Sequence, residues 1–251
     1  MLKLQNNQRI QQLWLASASP RREQLIKLLG LSVPIVCQPS EVDESYDDSW
    51  SAAQIVEQLS LRKGQAVART LIEQPVKDEL GAEFPLLVVG SDTIVVLEDK
   101  ILGKPVDAAD ARSMLASLQG KSHYVYTGVA ALYVTADDKH FLQQEFASNT
   151  VIPFGDIGQY RILSEGVDRS VKIITGHTAS KVTFKSMSDE EIEAYIASGE
   201  PFDKAGSYGV QGLGAVFIEK IEGDFYSIMG LPINLLYKIL LAKGISPFVE
   251  K

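Results

Sequence analysis

Runs of residues with the pattern of buried strands alternate along this chain with runs that have the pattern of helices. This alternation restricts the fold more than any other feature of the sequence. Residues 13–16 form a short apolar run, as in a buried strand. Ser19 and Pro20 suit the cap and first position of a helix, and Gly30 suits the residue after its last turn. A strand, a tight turn and a helix in direct succession predict an α/β fold.

Further helices and strands are predicted by caps and periodicity. Asp107 suits an N-cap, and Ser188 with Glu191 has the spacing of a capping box. The predicted helices cover residues 51–71, 107–118, 188–199 and 232–244. The predicted strands cover residues 86–89, 94–97 and 124–134, and a hairpin is predicted over residues 216–228. The segments on either side of residues 90–93 form either a buried strand pair or one bent strand.

Residues 135–178 have no clear pattern. They mix Gly, Asp and Ser with short apolar pieces, which is consistent with a long hairpin extension or a mobile excursion. The 251 residues allow one large α/β domain or two small ones. We predict a single domain over residues 1–251 with an irregular insertion at about residues 135–178.

Composition excludes several classes of protein. With 45% apolar and 22% charged residues, the chain is neither disordered nor collagen-like. A net charge of −8 argues against general binding to nucleic acid. Cys37 is the single cysteine, so a reducing compartment is the default. The polar first ten residues, and the lack of a long apolar stretch, predict a cytoplasmic protein that does not enter membranes.

The motif Ser17-Ala18-Ser19-Pro20-Arg21-Arg22 lies where the first strand meets the first helix. The start of a helix presents free N–H groups and a positive dipole end, which favour an anion. Arginines are electrostatically unfavourable there, and a bound anion would remove the conflict. The alternative is a pair of solvated arginines on a surface helix.

Asp92 interrupts an apolar, β-branched stretch in the motif Gly90-Ser91-Asp92-Thr93. A buried carboxylate costs several kcal/mol unless it is paired or binds a cation. Asp92 is therefore a candidate metal ligand or general base. The alternative is that it caps a turn. Asp43 and Glu44 lie in an acidic loop, which alone is typical of a solvated surface.

Two lysines and a glutamine complete the candidate set. Lys104 lies between a flexible and a rigid residue, and Lys204 opens a glycine-rich segment in which the main chain can approach a ligand closely. Each lysine alone would be read as surface charge. Gln211 offers both a donor and an acceptor, as the edge of a pyrimidine base requires, or it is satisfied by neighbouring main chain.

Other catalytic motifs are missing from the sequence. It has neither a P-loop nor a Gly-x-Gly-x-x-Gly fingerprint. The three histidines, His123, His140 and His177, are scattered, which argues against a histidine-based zinc site. No Gly-x-Ser-x-Gly elbow occurs, and Cys37 has no base beside it in sequence, so a Ser or Cys nucleophile has little support.

The motifs together resemble those of the Maf family of nucleoside triphosphate pyrophosphatases, also called septum-formation inhibitor proteins. The resemblance extends over residues 13–241. The matching motifs, in the family's order, are Ser17-Ala18-Ser19-Pro20-Arg21-Arg22, Asp43-Glu44, Ser91-Asp92-Thr93, Leu102-Gly103-Lys104-Pro105, Thr127-Gly128, residues 203–212 and Gly230-Leu231-Pro232. The stretch Lys-Ala-Gly-x-Tyr-Gly-x-Gln-Gly is similar to the branch that hydrolyses dTTP and UTP.

This resemblance implies a fold and an activity. The expected fold is an elongated mixed β-sheet with flanking helices and a central cleft. The expected enzyme is cytosolic, commonly a homodimer, and depends on a divalent metal cation, Mg²⁺ or Mn²⁺. It would cleave nucleoside triphosphates between the α- and β-phosphates, and CTP or modified pyrimidine nucleotides are further possible substrates.

The resemblance also implies residue roles. Asp92 matches the family's proposed proton acceptor, and Glu44 an acidic residue near the metal. Three residues match positions tied to substrate choice, namely Arg21, Thr93 and Gln211. Phosphate-facing lysines are matched by Lys63, Lys104 and Lys204, and the same site would include Ser17, Ser19 and Arg22.

Two departures from the family pattern are visible. Many members are shorter, and the extra length falls largely between residues 135 and 178. After Lys63, Gly64 and Gln65 replace the usual Lys-Ala pattern. Two other functional classes are weighed against the hydrolase: a non-catalytic nucleotide sensor that acts on cell division, and a nucleotidyltransferase. The sensor would not need a buried carboxylate, so Asp92 favours an enzyme.

Overall fold

The computed structural model describes residues 10–73, 84–136, 138, 151–165, 171–241 and 245–248. Within these residues a mixed sheet has nine strands, in the order β2-β1-β3-β5-β8-β7-β6, with β4 paired to β3 and β9 to β8. The strands are β1 Gln12–Ala16, β2 Ile35–Cys37, β3 Leu86–Leu97, β4 Lys100–Leu102, β5 Ser122–Val134, β6 Ile152–Phe154, β7 Gly158–Glu165, β8 Val171–Phe184 and β9 Ile218–Glu222. The helices are α1 Pro20–Lys27, α2 Ala52–Glu73, α3 Ala108–Leu118, α4 Asp189–Ala197, α5 Phe225–Met229 and α6 Ile233–Leu241.

Helices cover both faces of the sheet, which confirms the predicted α/β class with a mixed sheet. Strand β1 is buried on both sides: Leu13 and Leu15 pack with α1 and α6, whereas Trp14 and Ala16 pack with α2. A separate core forms between α3, α4 and the far ends of β3, β5 and β8. Among the described residues, no helix has both the length and the apolar character that crossing a membrane requires.

Helix α2 lies directly on the sheet because two strand residues are glycines. A β-carbon at Gly90 would lie 2.1 Å from the carbonyl oxygen of Ser60, and one at Gly128 would lie 2.2 Å from that of Val56. Glu57 of α2 is buried and pairs with His177 of β8 (2.7 Å) and with Arg161 of β7 (3.1 Å). These contacts fix the position of α2 on the sheet, and with it the position of Lys63, which belongs to this helix.

The predicted caps are confirmed. The Ser19 hydroxyl accepts the N–H of Arg22 at the start of α1, Asp107 caps α3, and Ser188 with Glu191 forms a complete capping box on α4. Residues 86–97 form the single strand β3, so of the two alternatives the continuous strand is correct.

The predicted hairpin over residues 216–228 is wrong. Its first part is strand β9, but residues 225–229 form helix α5. Asp224 explains the difference, because its carboxylate accepts the N–H of Tyr226 at 2.9 Å and caps a helix. Gly230 then ends this helix with φ of +117°.

Within residues 135–178, the described part contains β6, β7 and the first half of β8, which extend one side of the sheet. Residues 137, 139–150 and 166–170 of the predicted insertion lie outside the described residues, as do residues 242–244 at the predicted end of the last helix.

Candidate active site

The candidate site lies at a gap in one edge of the sheet. On that edge, β1 pairs with β3 as far as Gly90, and β4 pairs with β3 only from Val95 onwards. In the described part of the chain, residues 91–94 of β3 therefore pair on one side only, with β5. The loop after β1 and the start of α1 follow directly from the end of β1. Ligands of open α/β sheets bind at such carboxyl ends of parallel strands.

Asp92 is buried at this gap beside a lysine. Its side chain and that of Lys63 are each about one-tenth exposed, and Lys63 Nζ lies 2.5 Å from Asp92 Oδ1. The same ammonium lies 2.7 Å from Glu44 Oε1. The alternative in which Asp92 caps a turn is therefore excluded. The hydrogen bond that Lys63 donates to Glu44 holds the pKa of Glu44 below its ordinary value, although partial burial of Glu44 acts in the opposite direction.

Arg22 reaches from α1 to the other residues of the gap. Its Nε donates to the carbonyl oxygen of Gly230 at 2.7 Å, and a terminal nitrogen donates to the Thr93 hydroxyl at 3.2 Å. Burial lowers the pKa of Arg22, while the charges of Asp92 and Glu44 act to raise it. Arg22 is thus not a solvated surface arginine, and its charge lies within range of both carboxylates.

The two serines of the first motif shape the start of α1. Ser17 Oγ accepts the N–H of Ser19 at 3.1 Å and lies 3.5 Å from a terminal nitrogen of Arg22. Ser19 Oγ caps the helix through the N–H of Arg22. Both side chains therefore hold the arginine-bearing turn in place.

Arg21 contacts the opposite end of the chain. Its guanidinium lies 3.2 Å from Asp203 Oδ2, and Lys204 Nζ lies 2.5 Å from the other oxygen of the same carboxylate. Lys204 also donates to the carbonyl oxygen of Glu200 at 2.6 Å. Two cations predicted to bind phosphate therefore share one carboxylate in this structure.

The remaining two predicted residues are placed less directly. Lys104 is exposed, in the loop after β4, and its charge contributes to lowering the pKa of Glu44. Gln211 is exposed in the segment between the last two 3₁₀ turns, Ala205–Ser207 and Leu213–Phe217. Within the described residues, no hydrogen bond joins its side chain to the cluster around Asp92. The structure thus brings Lys63 together with Asp92 and Glu44, and Arg22 together with Thr93, which follows Asp92 in β3. Arg21 and Lys204 meet at Asp203 in a second group, which adjoins the first through the neighbouring residues Arg21 and Arg22.

Four further residues border the site and were given no individual role from the sequence, although Ser91, Thr127 and Asp203 lie within the matching motifs. Ser91 Oγ lies within hydrogen-bond distance of the carbonyl oxygens of Gly128 (2.7 Å) and Gly230 (2.9 Å), and Thr127 donates to that of Ser227 (2.7 Å). Ser91 and Thr127 are fully buried. In the sequence they are polar residues within apolar, strand-like runs, and this pattern could have indicated a role at the site. Asp203 and Glu200 carried no comparable signal, since both adjoin exposed segments rich in charge.

A divalent cation has two protein ligands available here. Across the described residues, no cluster of three His, Cys, Asp or Glu side chains suits a metal. However, the carboxylates of Glu44 and Asp92 converge on one point, which the Lys63 ammonium occupies. Mg²⁺ is usually held by one or two carboxylates together with waters and substrate phosphates. The donor set therefore fits a cation that arrives with a phosphate substrate.

Comparison with known proteins identifies the family. The family described as Maf-like protein matches residues 12–243, and the chain belongs to the Maf family. A dTTP/UTP pyrophosphatase of Desulforamulus reducens is 39% identical over 231 residues, which cover 92% of this chain and 96% of that protein. A dTTP/UTP pyrophosphatase of Bacillus cytotoxicus is 40% identical over 226 residues, which cover 90% and 92% of the two chains.

Proposed function

We propose that this protein is a nucleoside triphosphate pyrophosphatase. It hydrolyses the bond between the α- and β-phosphates of dTTP and UTP and releases the nucleoside monophosphate and pyrophosphate. The observation that carries the proposal is the buried Asp92–Lys63 pair at a sheet edge bordered by Arg22 and Arg21. Relatives about 40% identical over nine-tenths of the chain are dTTP/UTP pyrophosphatases.

The reaction brings water to a phosphorus atom that is surrounded by negative charge. Asp92 accepts a proton from the attacking water molecule while the oxygen of that water forms a bond to the α-phosphorus. The bond from that phosphorus to the bridging oxygen breaks, and pyrophosphate leaves with the electron pair. Arg21, Lys104 and Lys204 neutralise the triphosphate and stabilise the charge that develops on pyrophosphate. Arg22 adds positive charge from its fixed position beside Thr93.

Mg²⁺ or Mn²⁺, when bound, supplies a Lewis acid that polarises phosphate oxygens and the attacking water. Glu44 and Asp92 would hold this cation. Because the Lys63 ammonium lies between both carboxylates in this structure, it would have to give up these contacts for Glu44 and Asp92 to hold a cation. Lys63 is thus proposed to exchange partners between the free and the substrate-bound protein.

Base selectivity is assigned to Gln211, with Thr93 and Arg21 as further contacts to the nucleotide. Gln211 offers an amide donor and acceptor to the edge of the base. CTP and modified pyrimidine nucleotides are secondary substrates in this proposal. The protein is further proposed to act in the cytoplasm as a homodimer on free nucleotides, without nucleic acid or membrane as partner.

The deciding experiment is a panel of nucleoside triphosphates assayed for pyrophosphate release with Mg²⁺, with Mn²⁺, and with EDTA. We expect dTTP and UTP to be cleaved fastest, to monophosphate and pyrophosphate in equal amounts, with no turnover in EDTA. Full activity in EDTA would exclude the metal. Binding without turnover would indicate a nucleotide sensor, and a modified acceptor would indicate a nucleotidyltransferase.

A further inference from the structure

Glu200 connects two segments to which the proposed function gives separate roles. Its carboxylate accepts hydrogen bonds from the N–H groups of Leu213 (2.9 Å) and Gly214 (3.1 Å) and from the Tyr195 hydroxyl (2.9 Å). Its carbonyl oxygen accepts a hydrogen bond from the Lys204 ammonium at 2.6 Å. Glu200 therefore contacts both the segment that follows Gln211 and a lysine assigned to phosphate.

The segment that carries Gln211 is held on both sides. Before it, the N–H of Gly209 donates to the Tyr195 hydroxyl at 3.2 Å. After it, Gly212 has φ of +81°, and a β-carbon there would lie 2.6 Å from Glu200 Oε2. The main chain therefore passes directly against the carboxylate, in a conformation that favours glycine. Only residues 210–212 span the interval between the two hydrogen-bonded anchors.

The carboxylate that holds this segment is ionised at neutral pH. Burial acts to raise the pKa of Glu200, but hydrogen bonds from Leu213, Gly214 and Tyr195 outweigh it and keep this pKa below the ordinary value. Hydrogen bonds to a charged acceptor are roughly twice as strong as those between neutral groups. An uncharged side chain of the same shape would therefore hold the segment less firmly.

A glutamine amide alone does not distinguish uracil from cytosine. Uracil presents a carbonyl acceptor where cytosine presents an amino donor. The Gln211 amide carries both a donor and an acceptor, and rotation by half a turn exchanges them. Main-chain N–H and C=O groups cannot exchange in this way. Discrimination between the two bases therefore requires that the main chain around the amide be fixed in position.

We propose that Glu200 is a positioning residue for base selectivity. It fixes the main chain around Gln211 at a set position relative to Lys204, so that uracil and thymine nucleotides are preferred over cytosine nucleotides. The inference rests on the proposed function, since it assigns the base to Gln211 and phosphate to Lys204. It adds a residue that touches neither the base nor the phosphates.

The test compares Glu200→Gln with wild type and with Glu193→Gln. Glu193 is the matched control, because it is a carboxylate on α4 that pairs with exposed Arg112 and lies outside the Gln211 segment. The ratio of kcat/KM for UTP to that for CTP is measured for each protein. We expect this ratio to fall about tenfold in Glu200→Gln, of the size expected when one charged hydrogen bond is weakened. In the control Glu193→Gln, both the kcat for UTP and this ratio should stay within about twofold of wild type.

A second variant and a second readout do not depend on the stability of Glu200→Gln. Tyr195→Phe keeps the ring packed against Phe217, at 5.1 Å between centroids, and removes the hydroxyl that contacts Glu200 and Gly209. It should lower the UTP-to-CTP ratio in the same direction, by less. Amide hydrogen exchange at residues 209–214 should become faster in both variants.

Each outcome supports or overturns the proposal. An unchanged UTP-to-CTP ratio would overturn the proposal. If kcat/KM fell equally for both nucleotides, Glu200 would be a purely structural residue. A wild-type ratio near one would overturn the proposal as well, because there would be no selectivity to position. If wild type releases pyrophosphate from no nucleotide, the proposed function itself fails, which is a different result from an active enzyme with an unchanged ratio.

Discussion

The ammonium of Lys63 lies 2.5 Å from Asp92 Oδ1, although the lysine belongs to helix α2 and the aspartate to strand β3. Both residues are only 8% exposed. Taking two charges out of water is costly unless they satisfy each other closely. The pair lies where residues 91–94 of β3 pair with β5 alone among the described strands, and the proposed function gives this costly pair a use, with Asp92 as the proton acceptor.

Replacement of Asp92 by Asn should remove the proton acceptor while preserving the size of the side chain. Loss of a general base typically lowers the rate by about 10²- to 10⁴-fold, and we expect a decrease of that size in kcat for UTP. Binding of the nucleotide, measured by calorimetry, should change far less than kcat.

Asp99→Asn is the matched control for this substitution. Asp99 lies in the exposed turn directly after β3, with φ of +66°, a conformation that Asn tolerates as well as Asp does. Its kcat should equal that of wild type. Near-normal turnover by Asp92→Asn would remove Asp92 from the mechanism.

Lys63→Met should destabilise the protein because it removes one partner of a buried ion pair. The expected loss in the free energy of unfolding is about 3 kcal/mol, since the Asp92 carboxylate stays buried without its partner. In the double variant Lys63→Met/Asp92→Asn the carboxylate is gone, and part of this loss should be recovered. Urea unfolding of the four proteins measures the coupling. A double variant whose loss equals the sum of both single losses would show that the residues do not interact.

Local signals in the sequence predicted much of the fold. Ser19 and Asp107 each cap a helix that begins where their position indicates. These predictions succeeded because a cap depends on hydrogen bonds within three residues. Residues 225–229 failed because their aromatic and β-branched content suits a strand, whereas the Asp224 cap and Gly230 favour a short helix.

The contacts of the site were less accessible to sequence reasoning. That Asp92 needs a partner followed from its apolar surroundings, but the partner Lys63 depends on how α2 lies on the sheet, which Gly90 and Gly128 determine. The pairing of Arg21 with Asp203 joins residues 182 positions apart. No periodicity or cap reports such a contact, because it arises from the packing of whole elements.

Asp203→Asn should strengthen the binding of nucleotide. The Asp203 carboxylate holds both Arg21 and Lys204 in this structure, so a triphosphate must compete with it for these cations. The pair is partly exposed, and an exposed ion pair is worth roughly 0.5–1 kcal/mol, so KM for UTP should fall about two- to fivefold. Steady-state pyrophosphate release measures KM, with Asp156→Asn, in the exposed turn between β6 and β7, as control. A rise in KM would instead show that Asp203 orients the cations for phosphate.

Gly128→Ala should displace helix α2. The added β-carbon would lie 2.2 Å from the carbonyl oxygen of Val56, a main-chain atom that cannot rotate away. Overpacking of this kind costs about 1–3 kcal/mol, and the thermal midpoint of unfolding should fall accordingly. Gly103→Ala is the control for stability, because a β-carbon there has no heavy atom within 4 Å among its non-neighbouring residues. Equal thermal midpoints for the two variants would contradict the close approach of α2.

His123 should make the stability of the protein depend on pH below neutrality. Its ring is 1% exposed, packs edge-on against Phe184 and Tyr208, and lies 2.7 Å from the Tyr208 hydroxyl. Burial lowers the pKa of His123 from 6.5 to about 4. The folded protein therefore takes up this proton less readily than the unfolded chain does. The resulting stability is complete above pH 6.5 and is lost as the pH falls from 6.5 towards 4.

The loss between pH 7.5 and pH 5 should be about 2 kcal/mol in the free energy of unfolding. His123→Phe removes the titrating ring and keeps the aromatic packing. It leaves the Tyr208 hydroxyl without its partner, but this cost is the same at both pH values because tyrosine does not titrate there. The difference between wild type and variant, from urea unfolding at pH 7.5 and pH 5, therefore isolates His123. If the two proteins lose the same stability between these pH values, the ring is not kept neutral by its burial.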